Sequence, residues 1–257
     1  MKSLWDWGKE RTGLDKIWAA LFERHVPEAL GPSAWLYTLG SAALFVFVVQ
    51  AVTGALLAMN YVPSPDHAYD SVRFINEQVV FGHFIRGLHH WGATFMVVLV
   101  SLHLLRVYFM GAYKYPREAT WLVGVLLFLL VMGFSFTGYL LPWDQKAYWA
   151  TTVGTNIAGQ TPLIGPSIAK VLKGGDELGA TTLTRFYALH VLVLPMIIAL
   201  FIAIHLFLVV WHGISEPPRR ASPPAPLPKG DRAHHNSYSA PSPGSLREGG
   251  RRPGEAS

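Results

Sequence analysis

The chain has 257 residues, of which 51% are hydrophobic and only 14% are charged, and it contains no cysteine. This balance is typical of a membrane protein rather than of a soluble domain. Without cysteine, these residues offer no disulfide, no thiolate-held iron–sulfur cluster and no thioether-attached haem. Residues 216–257 carry seven Lys/Arg and four Asp/Glu, which supplies +3 of the net charge of +5. A basic tail beside an anionic membrane explains the high pI better than nucleic acid does.

Residues 1–30 form an N-terminal segment with an amphipathic pattern. Its apolar positions follow the i, i+3, i+4, i+7, i+8 spacing of one helix face, at Leu14, Ile17, Trp18, Leu21 and Phe22. Charged residues surround that face, so the pattern predicts a helix lying on the membrane surface. A helix that packs against a partner subunit is an equal alternative.

Four apolar stretches within residues 31–215 are long enough to cross a bilayer, which takes about 20 residues. They cover residues 34–59, 87–109, 121–141 and 186–211. The long loop 142–185 should carry structure or function of its own, with short surface helices near 148–157 and 164–172. The predicted fold class is therefore an all-α membrane protein, a four-transmembrane-helix bundle.

The tail, residues 216–257, contains nine of the chain's eighteen prolines. Such a segment cannot bury enough apolar area to offset its ordering entropy, so we expect disorder. Lys and Arg are also concentrated in the N-terminal segment and in the loop between the second and third spans. The positive-inside rule then places both termini in the cytoplasm of a bacterial inner membrane. The other two loops face the opposite, positive side.

Four histidines lie within two of the spans, where burying an imidazole costs free energy unless it pairs with a partner or binds a ligand. His89 and His103 are fourteen residues apart on the second span, and His190 and His205 are fifteen apart on the fourth. At ~100° and ~1.5 Å per residue, each pair shares one face and is separated by about 21 Å. His90 lies about 140° away from His103, so His89 is the better candidate. Antiparallel spans then pair His89 with His190 near the positive side and His103 with His205 near the cytoplasm.

Each histidine pair could hold one haem iron between two imidazoles, an arrangement without an open position that suits electron transfer. Hydrogen-bonded packing histidines are an alternative, which four residues in register oppose. A zinc or copper site is another alternative. Zinc ligands, however, gather in one small cluster, whereas most of a membrane separates these pairs.

Glycines repeat the histidine spacing on the other two spans, Gly40 with Gly54 and Gly124 with Gly138. A flat porphyrin edge requires close backbone approach, which glycine permits. Ordinary packing of small residues between membrane helices is the alternative.

Two arginines lie one helical turn from candidate ligands, toward the membrane surface. Arg86 precedes His89 by three residues, and Arg106 follows His103 by three. Arginine at such a position can pair with a haem propionate. Interfacial arginines that extend to the headgroups are the alternative.

Taken together, these residues resemble cytochrome b of the quinol-oxidising b–c and b–f complexes. The resembling stretches are RGLHHWGATFMVVLVSLHLLRVY, YPREATWLVG, FSFTGYLLPWDQKAYWA and TLTRFYALHVLVLPMIIALFIAIH. The resemblance covers about residues 1–215. The fifteen-residue histidine spacing and the PWDQ sequence are similar to the b–f form, in which a separate subunit carries the second half.

The resemblance implies two non-covalent b haems, one ligated by His89 and His190 and the other by His103 and His205. Three arginines are implied to contact propionates: Arg86, Arg106 and Arg117. Gly138 and the segment 139–149 would line part of a quinol-oxidation pocket. No side chain of this chain is implied to be catalytic.

The resemblance further implies that quinol is oxidised at the positive side and quinone reduced at the negative side, which helps to generate a proton gradient. The chain would be one incomplete subunit of a quinol–cytochrome c or plastocyanin oxidoreductase. Implied partners are a Rieske-type iron–sulfur protein, a c-type cytochrome, the subunit carrying the C-terminal half of cytochrome b, and lipid, in a dimeric complex.

Two alternatives stay open. The first is a di-haem membrane anchor of formate dehydrogenase or hydrogenase type, which the PWDQ segment and the long loop oppose. The second is a scaffold without haem, which the four intact histidines oppose.

Two positions, Thr38 and Val210, depart from the family pattern. Thr38 occupies the position where the b–f form has a cysteine for an extra haem, so a covalent third haem is not expected. Val210 stands where familiar members have a basic residue near the negative-side quinone. His212 could replace that residue as a proton donor, with an exposed interfacial histidine as the alternative.

Overall fold

The computed structural model describes residues 34–215, within which the regular structure is entirely helical. The predicted N-terminal amphipathic segment and the basic tail lie outside the described residues. Within 34–215, four helical segments are long and apolar enough to cross a membrane: Ala34–Ala58, Gly82–Phe109, Glu118–Tyr139 and Ala180–His212. The predicted all-α fold with four spans is therefore confirmed.

The spans and their connections consist of eight α-helices in the described part of the chain. The spans contain α1 (Leu39–Ala58), α3 (Gly82–Phe109), α4 (Glu118–Tyr139) and, in the fourth, α7 (Ala180–Ala188) followed by α8 (Leu194–His212). The connections contain α2 (Ala68–Glu77), α5 (Gln145–Gly159) and α6 (Gly165–Lys173). The second and fourth spans thus begin at Gly82 and Ala180, earlier than the apolar stretches that start at 87 and 186.

Two closely packed helix pairs make up the membrane part. The α1 helix packs chiefly on α3, and α4 packs chiefly on α8. Gln50 on α1 donates to the Leu88 carbonyl (3.4 Å) and lies against Gly92, where an added Cβ would collide with its amide. Small residues allow this approach, as is common between membrane helices. His89 from one pair faces His190 from the other.

A π-helical turn, Leu189–Val193, joins α7 to α8 and contains His190. The Leu194 N–H donates to the Leu189 carbonyl, five residues back. Pro195, in the first turn of α8, has no N–H, and in a regular α-helix its ring would clash with the carbonyl four residues earlier. The wider turn takes up one additional residue. The fifteen-residue spacing on this span therefore reaches the same two depths as the fourteen-residue spacing on α3.

The α2 helix lies in a segment for which the apolar pattern predicted only a loop. Its buried residues, Ala68, Ser71 and Ile75, follow i, i+3, i+7 spacing, which is the signal that would have indicated it. At the corner into α3, an added Cβ on Gly82 would collide with the Ile75 carbonyl. Glycine is therefore required where α2 turns into the second span.

Tyr61 connects the loops between the first and second spans and between the third and fourth. Its hydroxyl donates to the Leu141 carbonyl (2.6 Å), and its ring stacks on Tyr187 with 5.4 Å between centroids. Burial raises the pKa of the Tyr61 hydroxyl, and Tyr187 adds to the same effect. The hydroxyl therefore stays protonated and able to donate.

We predict that Tyr61→Phe lowers the stability of the folded protein by about 0.5–1.5 kcal/mol, the net worth of one hydrogen bond. Since folding raises this pKa, the contribution is fully present below the ordinary tyrosine pKa of about 10. It is lost as the pH rises through the higher folded value. The measurement is thermal unfolding of the purified protein at two pH values. The exposed Tyr69 provides the control Tyr69→Phe, which should have no effect.

Candidate functional site

His89 and His190 face each other across the space between the two helix pairs. Their ring centroids are 6.3 Å apart and their planes are nearly perpendicular, at 82°. Two metal–nitrogen bonds of about 2 Å plus the radii of two imidazole rings give about the same separation. His90 is exposed and lies against Trp91 instead. The structure thus brings His89, and not its neighbour, opposite His190.

The second pair, His103 and His205, lies further along the same two spans, in α3 and α8. We call it the deeper pair. The two rings are close enough to interact electrostatically, and Arg106 acts on His103 in the same way. The Nδ1 atoms of both rings are buried without a hydrogen-bond partner among residues 34–215. These two histidines therefore form a second, separate polar site inside the apolar helices.

Each of the four predicted glycines lies directly against one of the four histidines. A Cβ added at Gly54 would come within 3.0 Å of His89 Cε1, and one at Gly138 within 2.5 Å of His190 Cε1. At the deeper pair, the corresponding contacts are Gly40 with His103 at 3.2 Å and Gly124 with His205 at 3.3 Å. The glycines therefore make room for the imidazole rings. Their contact with a porphyrin edge stays a prediction.

Two threonines hold the rings of His89 and His190, and each immediately precedes a glycine. Thr53 Oγ1 lies 3.0 Å from His89 Nδ1, and Thr137 Oγ1 lies 3.2 Å from His190 Nδ1. The Phe134 carbonyl lies 3.1 Å from the same His190 nitrogen. The apolar periodicity gave no indication of these contacts. Their signal is the repeated Thr-Gly dipeptide at positions 53–54 and 137–138.

The three predicted arginines occupy different surroundings. The Arg106 guanidinium lies 4.5 Å from the Tyr37 ring centroid, and its buried Nε has no hydrogen-bond partner among the described residues. Arg86 is half-buried near the start of α3. Arg117 donates to the carbonyls of Gly213 (3.1 Å) and Ile214 (3.2 Å) just after α8. Two of its donors therefore stabilise a helix end, and its propionate contact stays a prediction.

The donor set fits haem better than it fits a zinc cluster. Across the described range, no group of three or more His, Cys, Asp or Glu side chains could hold a metal ion together. Two opposed imidazoles suit an iron whose other four ligands come from a porphyrin. The unpartnered Nε of Arg106 is a donor placed one turn from His103, where a propionate would satisfy it.

The PWDQ segment forms the corner between α4 and α5. Trp143 has a positive φ of 51°, and Asp144 caps α5 by accepting from the Ala147 N–H at 2.8 Å. Tyr139, just before this corner, is exposed. Asp144 therefore has a structural role in the loop.

The positions that depart from the family pattern lie near the start of the first span and the end of the fourth. The Thr38 hydroxyl donates to the Trp35 carbonyl at 2.6 Å. His212 Nδ1 lies 3.1 Å from the Leu208 carbonyl, which can only accept, so this nitrogen carries the proton. Val210 is exposed on the same helix. A quinone contact by His212 stays a prediction.

We predict that Gly138→Ala displaces the His190 ring and abolishes haem binding between His89 and His190. The reason is the 2.5 Å approach of the added carbon, which backbone packing cannot relieve. Gly133 on the same helix has open space at its Cβ position, so Gly133→Ala is the matched control. The measurement is haem content per chain, expected to fall from two to one only in Gly138→Ala. Full haem content in Gly138→Ala would contradict the assigned contact.

Comparison with known proteins agrees with this geometry. A family model described as cytochrome b/b6/petB matches residues 24–213. The menaquinol:cytochrome c reductase cytochrome b subunit of Geobacillus thermodenitrificans is 46% identical over 84% of this chain and 99% of that protein. Cytochrome b6 of Heliobacterium mobile is 43% identical over 82% of this chain and 99% of its own length.

One solved structure, a hyperthermophilic respiratory complex III, superposes with a TM-score of 0.74 at 34% identity. The match covers 82% of this chain but only 56% of the chain in that structure. The family model, the helix pairs and the opposed histidines all lead to one conclusion. The chain belongs to the cytochrome b/b6 family.

Proposed function

We propose that this chain is the di-haem electron-transfer subunit of a quinol-oxidising complex of the cytochrome bc or b–f type. The observation that carries the proposal is the pair of opposed rings, His89 and His190, at 6.3 Å between centroids. A second pair, His103 and His205, lies further along the same two spans. Two such sites at different depths provide a route for electrons across the membrane.

The chain's own residues would hold two b haems, with His89 and His190 at one iron and His103 and His205 at the other. Bound there, haem would supply reversible one-electron exchange without a change of ligands. The surrounding apolar helices exclude water, and Arg106 offers its unpartnered Nε to a propionate. Thr38 carries no thiol, so we propose no covalent third haem.

The substrate and partners follow from the relatives. The Geobacillus relative is named a menaquinol:cytochrome c reductase subunit, so we propose a quinol as electron donor and a c-type cytochrome in the complex. This chain spans 99% of that relative but 56% of the complex III chain. We also propose, from the resemblance to the b–f form, a separate subunit carrying the C-terminal half of cytochrome b and a Rieske-type iron–sulfur protein, in a dimeric complex.

The orientation we propose places both termini in the cytoplasm. The loop that contains α2 carries Asp66, Asp70 and Glu77 against a single Arg73, whereas the loop between α3 and α4 carries Lys114 and Arg117. The positive-inside rule therefore puts α2, α5 and α6 on the positive side. Quinol would be oxidised there, beside the PWDQ corner, and quinone reduced near the cytoplasmic ends of α3 and α8.

The test of haem ligation is a reduced-minus-oxidised spectrum and haem count for His89→Ala and His90→Ala. We predict that His89→Ala loses one of the two b haems because it removes an axial ligand. His90→Ala, adjacent in sequence but exposed, should retain both. Equal haem content in the two variants would refute the proposed ligand.

The test of the complex is purification of the chain with its partners under mild detergent. We expect a Rieske-type iron–sulfur protein and a small membrane subunit, together with quinol-dependent reduction of a c-type cytochrome. Co-purification of a molybdenum or nickel enzyme instead would identify the chain as the anchor of another oxidoreductase.

A further inference from the structure

The two histidine pairs differ in what holds their outer ring nitrogens. At the positive-side pair, each Nδ1 meets a threonine hydroxyl, Thr53 for His89 and Thr137 for His190. At the deeper pair, neither His103 Nδ1 nor His205 Nδ1 has a hydrogen-bond partner among residues 34–215. All four rings lie on the same helices and against the same kind of glycine. The hydroxyl groups are therefore the feature that distinguishes the two sites.

The direction of the proton in these contacts follows from the other bonds of the threonines. Thr53 donates its hydroxyl hydrogen to the Val49 carbonyl at 2.7 Å, and Thr137 donates to the Phe134 carbonyl at 2.9 Å. A hydroxyl has one hydrogen to give, so each threonine oxygen must accept from the imidazole. The Phe134 carbonyl, which can only accept, faces the same His190 nitrogen. Nδ1 therefore carries the proton in both rings, and Nε2 is free to bind a metal.

Such an N–H contact makes the imidazole a more basic ligand. The acceptor draws the proton outward and leaves more electron density on the metal-binding nitrogen. A more basic ligand stabilises the ferric ion relative to the ferrous ion, and that lowers the reduction potential. Both threonines are buried, so water does not compete for these bonds.

We propose that Thr53 and Thr137 are positioning residues that lower the reduction potential of the iron held by His89 and His190 below that of the iron held by His103 and His205. The inference rests on the proposed binding of two b haems. Its consequence is that an electron is held more strongly at the cytoplasmic site than at the positive-side site. Two hydroxyl groups would thus give the pathway its direction.

At the deeper site, the sequence has no threonine immediately before either glycine. The residues that precede its glycines are Leu39 and Val123, where the positive-side site has threonine. The His205 ring has a backbone hydrogen bond to Thr120 that falls outside strict hydrogen-bond geometry, and no hydroxyl group among the described residues meets Nδ1 of His103 or His205. Valine has a methyl group where threonine has its hydroxyl, so Val123 and a threonine are nearly the same shape. It precedes Gly124 just as Thr137 precedes Gly138.

This correspondence permits a reciprocal exchange of the two residue types in the intact complex. Thr137→Val removes the acceptor at the positive-side pair, and Val123→Thr adds one at the deeper pair. The readout is a potentiometric titration of each haem, followed by its absorption band. The haem count and spectrum of the unsubstituted complex are recorded first, so that absent haem there refutes the proposed function and not this inference.

We expect Thr137→Val to raise the potential of the positive-side haem and leave the other haem unchanged. If the effect on the one-electron equilibrium matches the roughly tenfold lower end of what such partners contribute to metal affinity or activity, the shift is about 59 mV. Val123→Thr should have the opposite effect and lower the reduction potential of the deeper haem. Thr137→Ser, which keeps the hydroxyl, should restore the original potential.

Unchanged potentials in both Thr137→Val and Val123→Thr, with both haems present, would overturn the proposal. Equal shifts of both haems would also overturn it, because a local hydrogen bond cannot produce them. If Thr137→Val loses its haem, the decision falls to Val123→Thr and Thr53→Val. Thr94 lies on α3 and bonds only to its own helix, so Thr94→Val is the control that should shift neither haem.

Discussion

The contact between a glycine on one helix and an imidazole on its neighbour determines the rest of the membrane part. Four such contacts place the rings of α3 on α1 and those of the fourth span on α4. In a lipid environment, association depends on close packing rather than on the hydrophobic effect. A histidine ring can therefore lie inside a helix pair only where the partner has no side chain. The glycine fixes both the depth and the direction of the ring, and the two ring sites follow from four of these pairings.

The π turn at Leu189–Val193 brings the two helix pairs to a common register. Pro195 disturbs the ladder of backbone hydrogen bonds there, and the wider turn takes up the extra residue between His190 and His205. His190 lies within this turn and faces His89. The π turn that interrupts the regular helix is thus also the segment that positions the His190 ring. The threonines then distinguish one site from the other, which helices of similar composition would otherwise leave nearly equivalent.

Polar residues at the helix ends stabilise the connections instead of taking part in the electron path. Asp144 caps α5, Tyr61 joins two loops through the Leu141 carbonyl, and Arg117 binds the carbonyls that follow α8. Each group satisfies backbone polar atoms at a helix end or at a bend between helices. The loops at the proposed quinol side therefore have their own hydrogen bonds, through Asp144 and Tyr61, whereas Arg117 stabilises the other end of the spans.

The sequence by itself determined the four spans, the all-α fold and the pairing of histidines by depth, because hydropathy and helical periodicity depend only on local order along the chain. It also singled out the four glycines, although not the rings that they accommodate. Only the tertiary structure decided which glycine faces which histidine, that Thr53 and Thr137 accept from two of the rings, and that Arg117 binds the end of α8. Those contacts join residues far apart in sequence, and their geometry depends on how helix pairs pack. The periodicity of one helix contains no information about its neighbour.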